Sequence, residues 1–121
     1  MTTFRSAVEA GDMEAAVALL AEDVEFHSPV VHAPYRGRDA VAPILHAVAQ
    51  VFEDFRYVAE VGGGDEHVLV FRAHVGDRRL EGIDLLHHDG SGAIDRLTVM
   101  IRPLSALQAV ASAMRERLAG A

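Results

Sequence analysis

Apolar residues recur at helical intervals in the first part of the chain and at every second position from residue 55 onward. The first spacing is typical of helices with one buried face, and the second of strands with one buried face. We predict a helix over 4–10, ended by Gly11, and a second helix that begins after an Asp12 cap. The apolar face of this second helix comprises Met13, Ala16, Val17 and Leu20.

A third helix is predicted after a short strand and a loop. Val24–Ser28 alternates as a strand that Pro29 stops, and 30–38 is predicted to be a loop. We expect Asp39 to cap the third helix, with Pro43 in its first turn, where a missing N–H costs little. The buried stripe of this helix is predicted to be Val41, Ile44, Leu45, Val48 and Phe52.

Four strands are predicted to follow as a meander, over 55–61, 69–75, 80–88 and 96–102. Their turns are expected at 62–64, 76–77 and 89–92, where glycine and aspartate cluster. Pro103 ends the last strand, and a C-terminal helix carries Leu104, Leu107, Val110, Ala111, Met114 and Leu118. Helices segregated against an antiparallel sheet define the α+β class, so we predict one α+β domain over residues 1–121.

Composition excludes several kinds of function. Half of the residues are hydrophobic, the net charge is −7, and the chain contains neither lysine nor cysteine. The acidic balance disfavours a nucleic-acid partner, and the missing side chains exclude lysine Schiff bases and cysteine nucleophiles. None of the seven histidines has the helical spacing of a zinc motif, so we expect no metal and no cofactor.

The N-terminal segment gives no sign of export. It lacks a basic start followed by an apolar block, and no apolar run approaches the roughly 18 residues of a membrane span. We therefore expect a cytoplasmic protein without a membrane partner.

Three phrases in this order resemble the nuclear-transport-factor-2-like superfamily, in its SnoaL-like and ketosteroid-isomerase-like branch. They are AGDMEAAVALLAEDVEF, PYRGRDAV and GIDLLHHDGSGAIDRLTV. The resemblance implies a cone-shaped, strongly curved antiparallel sheet wrapped around the N-terminal helices, with an added C-terminal helix. It also implies a hydrophobic cavity for a small apolar ligand and a homodimer formed through the outer sheet face. Members include isomerases, polyketide cyclases, epoxide hydrolases, dehydratases and non-catalytic domains, so the fold does not settle the function.

Asp84 is the first candidate for chemistry. It lies in an apolar strand. The matching residue of ketosteroid isomerases lies protonated in the cavity and donates a hydrogen bond to an oxyanion, which is an example of a raised carboxyl pKa. Burial disfavours the charged form of a carboxyl, so such a group is suited to be an acid, a base or a donor. The alternative is a strand-edge carboxylate paired with Arg72 or Arg96.

Other positions depart from the isomerase pattern. The isomerase base matches Ser28, and its two tyrosines match Phe4 and Leu45, which argues against the ketosteroid isomerase mechanism. An Arg-x-Asp pattern, as in epoxide hydrolases of the superfamily, is absent because Gly82 precedes Asp84 by two residues.

His88 shares strand parity with Asp84 and is the expected catalytic helper, although an exposed turn residue is the simpler interpretation. Tyr35, Arg36 and Arg38 are expected at the cavity mouth, where an arginine would meet an anionic ligand; solvated loop charges are the alternative. The expected pocket lining comprises Phe4, Val24, Phe26, Ser28, Leu45, Val48, Phe52, Tyr57, Phe71, Leu86, Leu97, Val99 and Ile101.

Two classes of function remain open at this point. The first is a cofactor-independent acid/base enzyme, similar to a polyketide cyclase or an isomerase, that acts on an apolar oxygenated substrate through Asp84. The second is a ligand-binding or dimerisation module without turnover.

Overall fold

A computed structural model describes residues 2–119. The helices are α1 (Phe4–Glu9), α2 (Met13–Ala18), α3 (Arg38–Val51) and α4 (Leu104–Ala119). The strands are β1 (Leu20–His27), β2 (Tyr35–Arg36), β3 (Glu53–Gly63), β4 (Glu66–Val75), β5 (Arg78–His88) and β6 (Ile94–Arg102). They form one curved, unclosed sheet with the order β2-β1-β6-β5-β4-β3, which confirms the predicted α+β cone.

The predicted meander accounts for the four strands from β3 to β6, each antiparallel to the next. Strand β1 joins this sheet beside β6 and runs parallel to it. Helix α3 carries the chain from β2 to the far edge of the sheet, where β3 begins. The meander then returns across the sheet to β1, so a long connection separates the two parallel strands. The sheet is therefore mixed at this pair rather than wholly antiparallel.

Local boundaries differ from the prediction around β1 and α3. Strand β1 begins four residues earlier than predicted because buried Leu20 pairs with Ile94. The predicted loop contains β2, which pairs with Glu25 and Phe26 of β1. Helix α3 has Gly37 as its N-cap, at a φ of 92°.

Two positions near the start of α3 were therefore wrongly assigned. Asp39 lies in the first turn instead of capping the helix, and Pro43 lies inside the helix. A similar correction applies to the triple glycine, because Gly62 and Gly63 extend β3 and the turn consists of Gly64 and Asp65. The backbone of Gly64 has a φ of 61°, which glycine adopts without strain.

The hydrophobic core lies on the inner face of the sheet, under the helices. Leu69, Phe71 and Ala73 share this face of β4, as their alternation predicted, and all three are buried. Leu97 of β6 and Val110 of α4 are also buried in the same cluster. The helices thus cover one face of the sheet.

Gly82 leaves room for the core of this inner face. A Cβ atom at Gly82 would lie 2.6 Å from the carbonyl oxygen of Met100 and would overlap the ring of Phe71. We expect Gly82→Ala to lower the free energy of unfolding by about 1–3 kcal/mol, the usual cost of overpacking a core. Urea denaturation measures the change. Gly90→Ala is the control, because a Cβ there meets no atom within 4 Å; equal stability of the two variants would contradict the argument.

Candidate functional site

A cavity of about 770 Å³ opens between the inner face of the sheet and the helices. This volume lies within the usual range for small-molecule sites. Its wall is largely apolar and includes side chains from all four helices, from β1 and β6, and from the aromatic start of β3. The cavity therefore offers space and hydrophobic surface for a small organic molecule.

Asp84 contributes a carboxyl group to this apolar wall. Among residues 2–119, Asp84 is the only charged residue that is buried, with 8% of its surface exposed. Strand alternation places it on the inner face of β5, between Leu69 of β4 and Val99 of β6. Arg72 and Arg96 do not approach it, since alternation directs both toward the outer face, where Arg72 pairs with Glu81. The ion-pair interpretation of Asp84 is therefore wrong.

The hydroxyl of Tyr57 donates a hydrogen bond to Oδ2 of Asp84 over 2.7 Å. Tyr57 is in β3 and Asp84 in β5, so β4 lies between them and their backbones are about 10 Å apart. A tyrosine and an aspartate side chain together span this distance. Tyr57 and Asp84 form a buried pair, which we call the Tyr57–Asp84 pair, and both residues line the cavity.

An aromatic cluster fixes the ring of Tyr57. The ring of Phe55 meets it edge-on at 5.0 Å between centroids, and Phe71 does so at 6.4 Å. The guanidinium of Arg5 lies 5.9 Å from the centroid of the same ring and is itself tied to Glu9 and Glu60. Packing therefore holds the phenol in place against Asp84.

Burial raises the pKa of Asp84 from 3.8 to about 6, even though the hydrogen bond from Tyr57 opposes this change. Burial also raises the pKa of Tyr57, and the negative charge of Asp84 adds to that rise. Near neutral pH, Asp84 is thus ready to gain or lose a proton, whereas Tyr57 remains a donor.

We expect Tyr57→Phe to raise the pKa of Asp84 further, by about one unit, because a hydrogen bond to a charged group is worth about 1.5–3 kcal/mol. Carbon-detected NMR of the labelled carboxyl follows this titration. The control is Tyr35→Phe, which removes the second tyrosine of the chain at a cavity position away from Asp84. A pKa that stays near 6 in Tyr57→Phe would show that the hydrogen bond does not stabilise the carboxylate.

A family model for the SnoaL-like domain matches residues 1–109 of this chain. The chain belongs to the SnoaL-like family. It is a member of the nuclear-transport-factor-2-like superfamily, as the sequence phrases predicted. No curated protein matches the sequence.

Two similar solved structures share much of the sequence. A steroid delta-isomerase from Pseudomonas aeruginosa is 41% identical, with a TM-score of 0.91, over 94% of this chain and 85% of that one. A Silicibacter pomeroyi protein with a cystatin-like fold is 38% identical, with a TM-score of 0.89, over 94% of this chain and 81% of that one. The epoxide hydrolase/cyclase-like enzyme SalBIII, at 18% identity and a TM-score of 0.68 over 85% of this chain and 87% of that one, shares the fold alone.

The other polar positions of the SnoaL-like cavity differ from the isomerase pattern. Ser28 lines the cavity, but its Oγ accepts hydrogen bonds from the backbone N–H groups of Val30 and Val31, at 3.2 and 3.1 Å. Phe4 and Leu45 line the cavity as apolar groups. The phenol beside Asp84 therefore comes from β3, not from the positions of the isomerase tyrosines.

Most of the residues expected at the pocket meet around the cavity. These are Phe4, Phe26, Ser28, Leu45, Val48, Phe52, Tyr57, Leu97, Val99 and Ile101. The expectation missed the contributions of α2 and α4, including Met13, Val110, Ala111, Met114, Arg115 and Leu118. The apolar stripe of α4 was visible in the sequence, but its spacing does not say whether it faces a core, a cavity or a partner.

Four expected residues lie away from the cavity lining. Val24, Phe71 and Leu86 are buried in the core behind the wall. His88 lies four residues beyond Asp84, about 13 Å along the strand, where its ring meets that of His67 at 5.4 Å between centroids. The alternation of β5 correctly predicted the face of the sheet on which His88 lies, but not its distance from Asp84.

Among residues 2–119, no three histidine, aspartate or glutamate side chains are grouped as metal ligands. Over the same residues, each helix is too short or too polar to cross a lipid bilayer.

Proposed function

We propose that this protein binds a small apolar molecule with one oxygen function and that Asp84 exchanges a proton with it, without a cofactor. The observation that carries the proposal is a buried carboxyl with a pKa of about 6 in an apolar cavity, hydrogen-bonded to a single phenol. A general base or acid acts best when its pKa lies near the working pH. Asp84 meets this condition.

Each protonation state of Asp84 suits a different ligand. The carboxylate accepts a hydrogen bond from a hydroxyl group, or removes a proton from a carbon next to a carbonyl. The protonated form donates to a carbonyl oxygen. When the carboxylate has removed a proton it is neutral, and the O–H of Tyr57 can turn from Asp84 to the oxygen of the resulting enolate and stabilise its negative charge. The proton then returns from Asp84 to the same or a neighbouring carbon.

The similarity to the Pseudomonas aeruginosa steroid delta-isomerase supports this type of reaction, because moving a double bond requires proton transfer. Ser28 matches the position of the isomerase base, but its Oγ accepts hydrogen bonds from two backbone N–H groups, and a serine takes up a proton at neutral pH only with a base beside it. Asp84 therefore takes the role of base in our proposal. The apolar wall is also compatible with ketones other than steroids.

Two bicyclic probes of similar size test the proposal. 2-Naphthol donates a hydrogen bond, whereas 2-tetralone accepts one and carries acidic protons at C1. We expect the affinity for 2-naphthol to increase as the pH rises through 6 and that for 2-tetralone to decrease. Asp84→Asn should remove both pH dependences. Binding without pH dependence in the wild type would refute a titrating Asp84 in the ligand site.

A second candidate function is ligand binding without turnover. The cavity and the hydrogen bond to Asp84 support it equally well. Hydrogen–deuterium exchange at C1 of 2-tetralone distinguishes the two, because a passive site binds the ketone but does not speed its exchange.

A homodimer is also part of the proposal, and the outer sheet face supports it. Strand register aligns two apolar rows there, Val61-Val68-Leu85-Thr98 and Ala59-Val70-Ile83-Met100. A charged row, Arg56-Arg72-Glu81-Arg102, borders them on one side. Val61 and Met100 are 65% and 52% exposed. A contiguous apolar patch with a polar border is typical of an interaction surface.

We expect Met100→Asp to weaken self-association at least tenfold, because it puts a charge on an exposed position of the apolar rows that would close against the second subunit. Sedimentation velocity measures the change. Leu104→Asp is the control, since Leu104 is 68% exposed but begins α4, away from this face. A monomeric wild type, or equal effects of the two substitutions, would count against this interface.

A further inference from the structure

The mouth of the cavity is apolar as well as its wall. Four large hydrophobic residues that line the cavity are exposed, namely Val30, Val31, Tyr35 and Leu118, at 51%, 43%, 38% and 43%. A group of exposed apolar side chains around the opening of a groove is typical of a ligand-binding site. A ligand that contacts both Asp84 and these residues extends from the buried wall to the rim, so its outer end meets the charges of the rim.

Two acidic side chains at the mouth already have partners. Asp12 caps α2, where its Oδ1 accepts a hydrogen bond from the N–H of Ala15 over 3.1 Å. Glu14 lies 3.5 Å from Nε2 of His46 on α3. The hydrogen bond from the backbone N–H group moderates the negative charge of Asp12 at the opening.

Arg115 is the arginine of the cavity lining. Within residues 2–119 it makes no ion pair or side-chain hydrogen bond. It lies on α4, one residue after Met114 and three before Leu118, so it continues the stripe that faces the cavity. The arginines expected at the mouth are occupied elsewhere. Arg36 pairs with Glu25 over 2.7 Å, and Arg38 donates to the carbonyl oxygen of Leu20.

Arg115 brings a positive charge to a cavity whose lining otherwise includes the acidic residues Asp12, Glu14 and Asp84. Its guanidinium is always charged and presents a fork of N–H donors that matches a carboxylate. From this position, we infer that Arg115 selects ligands with an anionic group at the end opposite to the oxygen function that meets Asp84. This inference rests on the proposed binding function of the cavity and narrows its ligand class to amphipathic acids.

Three related probes test the inference by their intrinsic fluorescence. 6-Hydroxy-2-naphthoic acid has a hydroxyl at one end and a carboxylate at the other, its methyl ester lacks the charge, and 2-naphthol lacks the second group. We expect the wild type to bind the acid about tenfold more tightly than the ester. Added salt should reduce this preference, because the rim is exposed to solvent.

Arg115→Gln should abolish the preference for the acid and leave the affinity for the ester unchanged. Arg79→Gln is the control, since it removes the same charge from an exposed arginine of β5 that does not line the cavity. Equal affinities of the wild type for the acid and the ester, with the ester and 2-naphthol still bound, would refute the anion site. An Arg115→Gln variant that still prefers the acid would refute it as well. In both cases the binding function of the cavity stands. If none of the three probes binds, the binding function itself fails.

Discussion

Replacing Asp84 with asparagine is expected to slow hydrogen–deuterium exchange at C1 of 2-tetralone by at least about a hundredfold, the usual contribution of a general base. The carboxylate removes a C1 proton, and the enolate oxygen accepts a hydrogen bond from Tyr57. Asp84 then exchanges its proton with solvent and returns a deuteron to the carbon. An asparagine amide has no lone pair basic enough for the first step. The decay of the C1 proton signal in D2O gives the rate directly.

Two variants make this result specific. Asp23→Asn removes the same charge from an exposed residue outside the cavity and should leave the exchange rate unchanged. Tyr57→Phe should keep part of the rate, because the base remains while the donor to the enolate oxygen is lost. Wild-type exchange no faster than that of Asp84→Asn, with the ketone demonstrably bound, would favour the non-catalytic alternative.

The sequence predicted Asp84 because a carboxyl in an apolar strand is conspicuous. It did not predict the role of Tyr57, which the alternation of β3 assigned only to the apolar lining. The interaction joins two strands that are separated by β4, and it depends on the curvature of the sheet and on the packing of Phe55 and Phe71. Neither the curvature nor this packing can be deduced from the spacing of residues along one strand.

The same limit explains the misplacement of His88 and the missed Arg115. Parity along a strand gives the face of a residue but not its distance from a cavity. The helical period of α4 gave its apolar face but not the surface against which that face lies. Sequence pattern therefore predicted the helices and the four-strand meander, whereas the place of β1 in the sheet and the lining of the cavity depend on how separate elements meet.

Asp84→Asn should also stabilise the folded protein near pH 8, even as it removes proton transfer. The pKa of Asp84 is about 6 in the folded state, against about 3.9 for an unperturbed aspartate. A raised carboxyl pKa favours folding below the unfolded value, and this contribution is lost as the pH rises through 6. The difference of about two units corresponds to about 3 kcal/mol, as an upper bound for a single group. An asparagine does not pay this cost at high pH and still offers an oxygen to the hydroxyl of Tyr57.

Urea denaturation at pH 4.5 and pH 8 measures this effect. The stability advantage of Asp84→Asn over the wild type should be about 1–3 kcal/mol at pH 8 and should fall to about a third of that value at pH 4.5, where Asp84 is neutral in the folded state but still largely ionised in the unfolded chain. Asp23→Asn should change the stability by less than about 0.5 kcal/mol at either pH. A less stable Asp84→Asn at pH 8 would mean that the ionised carboxylate holds the fold together. Asp84 would then be a structural residue, because a group kept for function is expected to cost stability where it is charged.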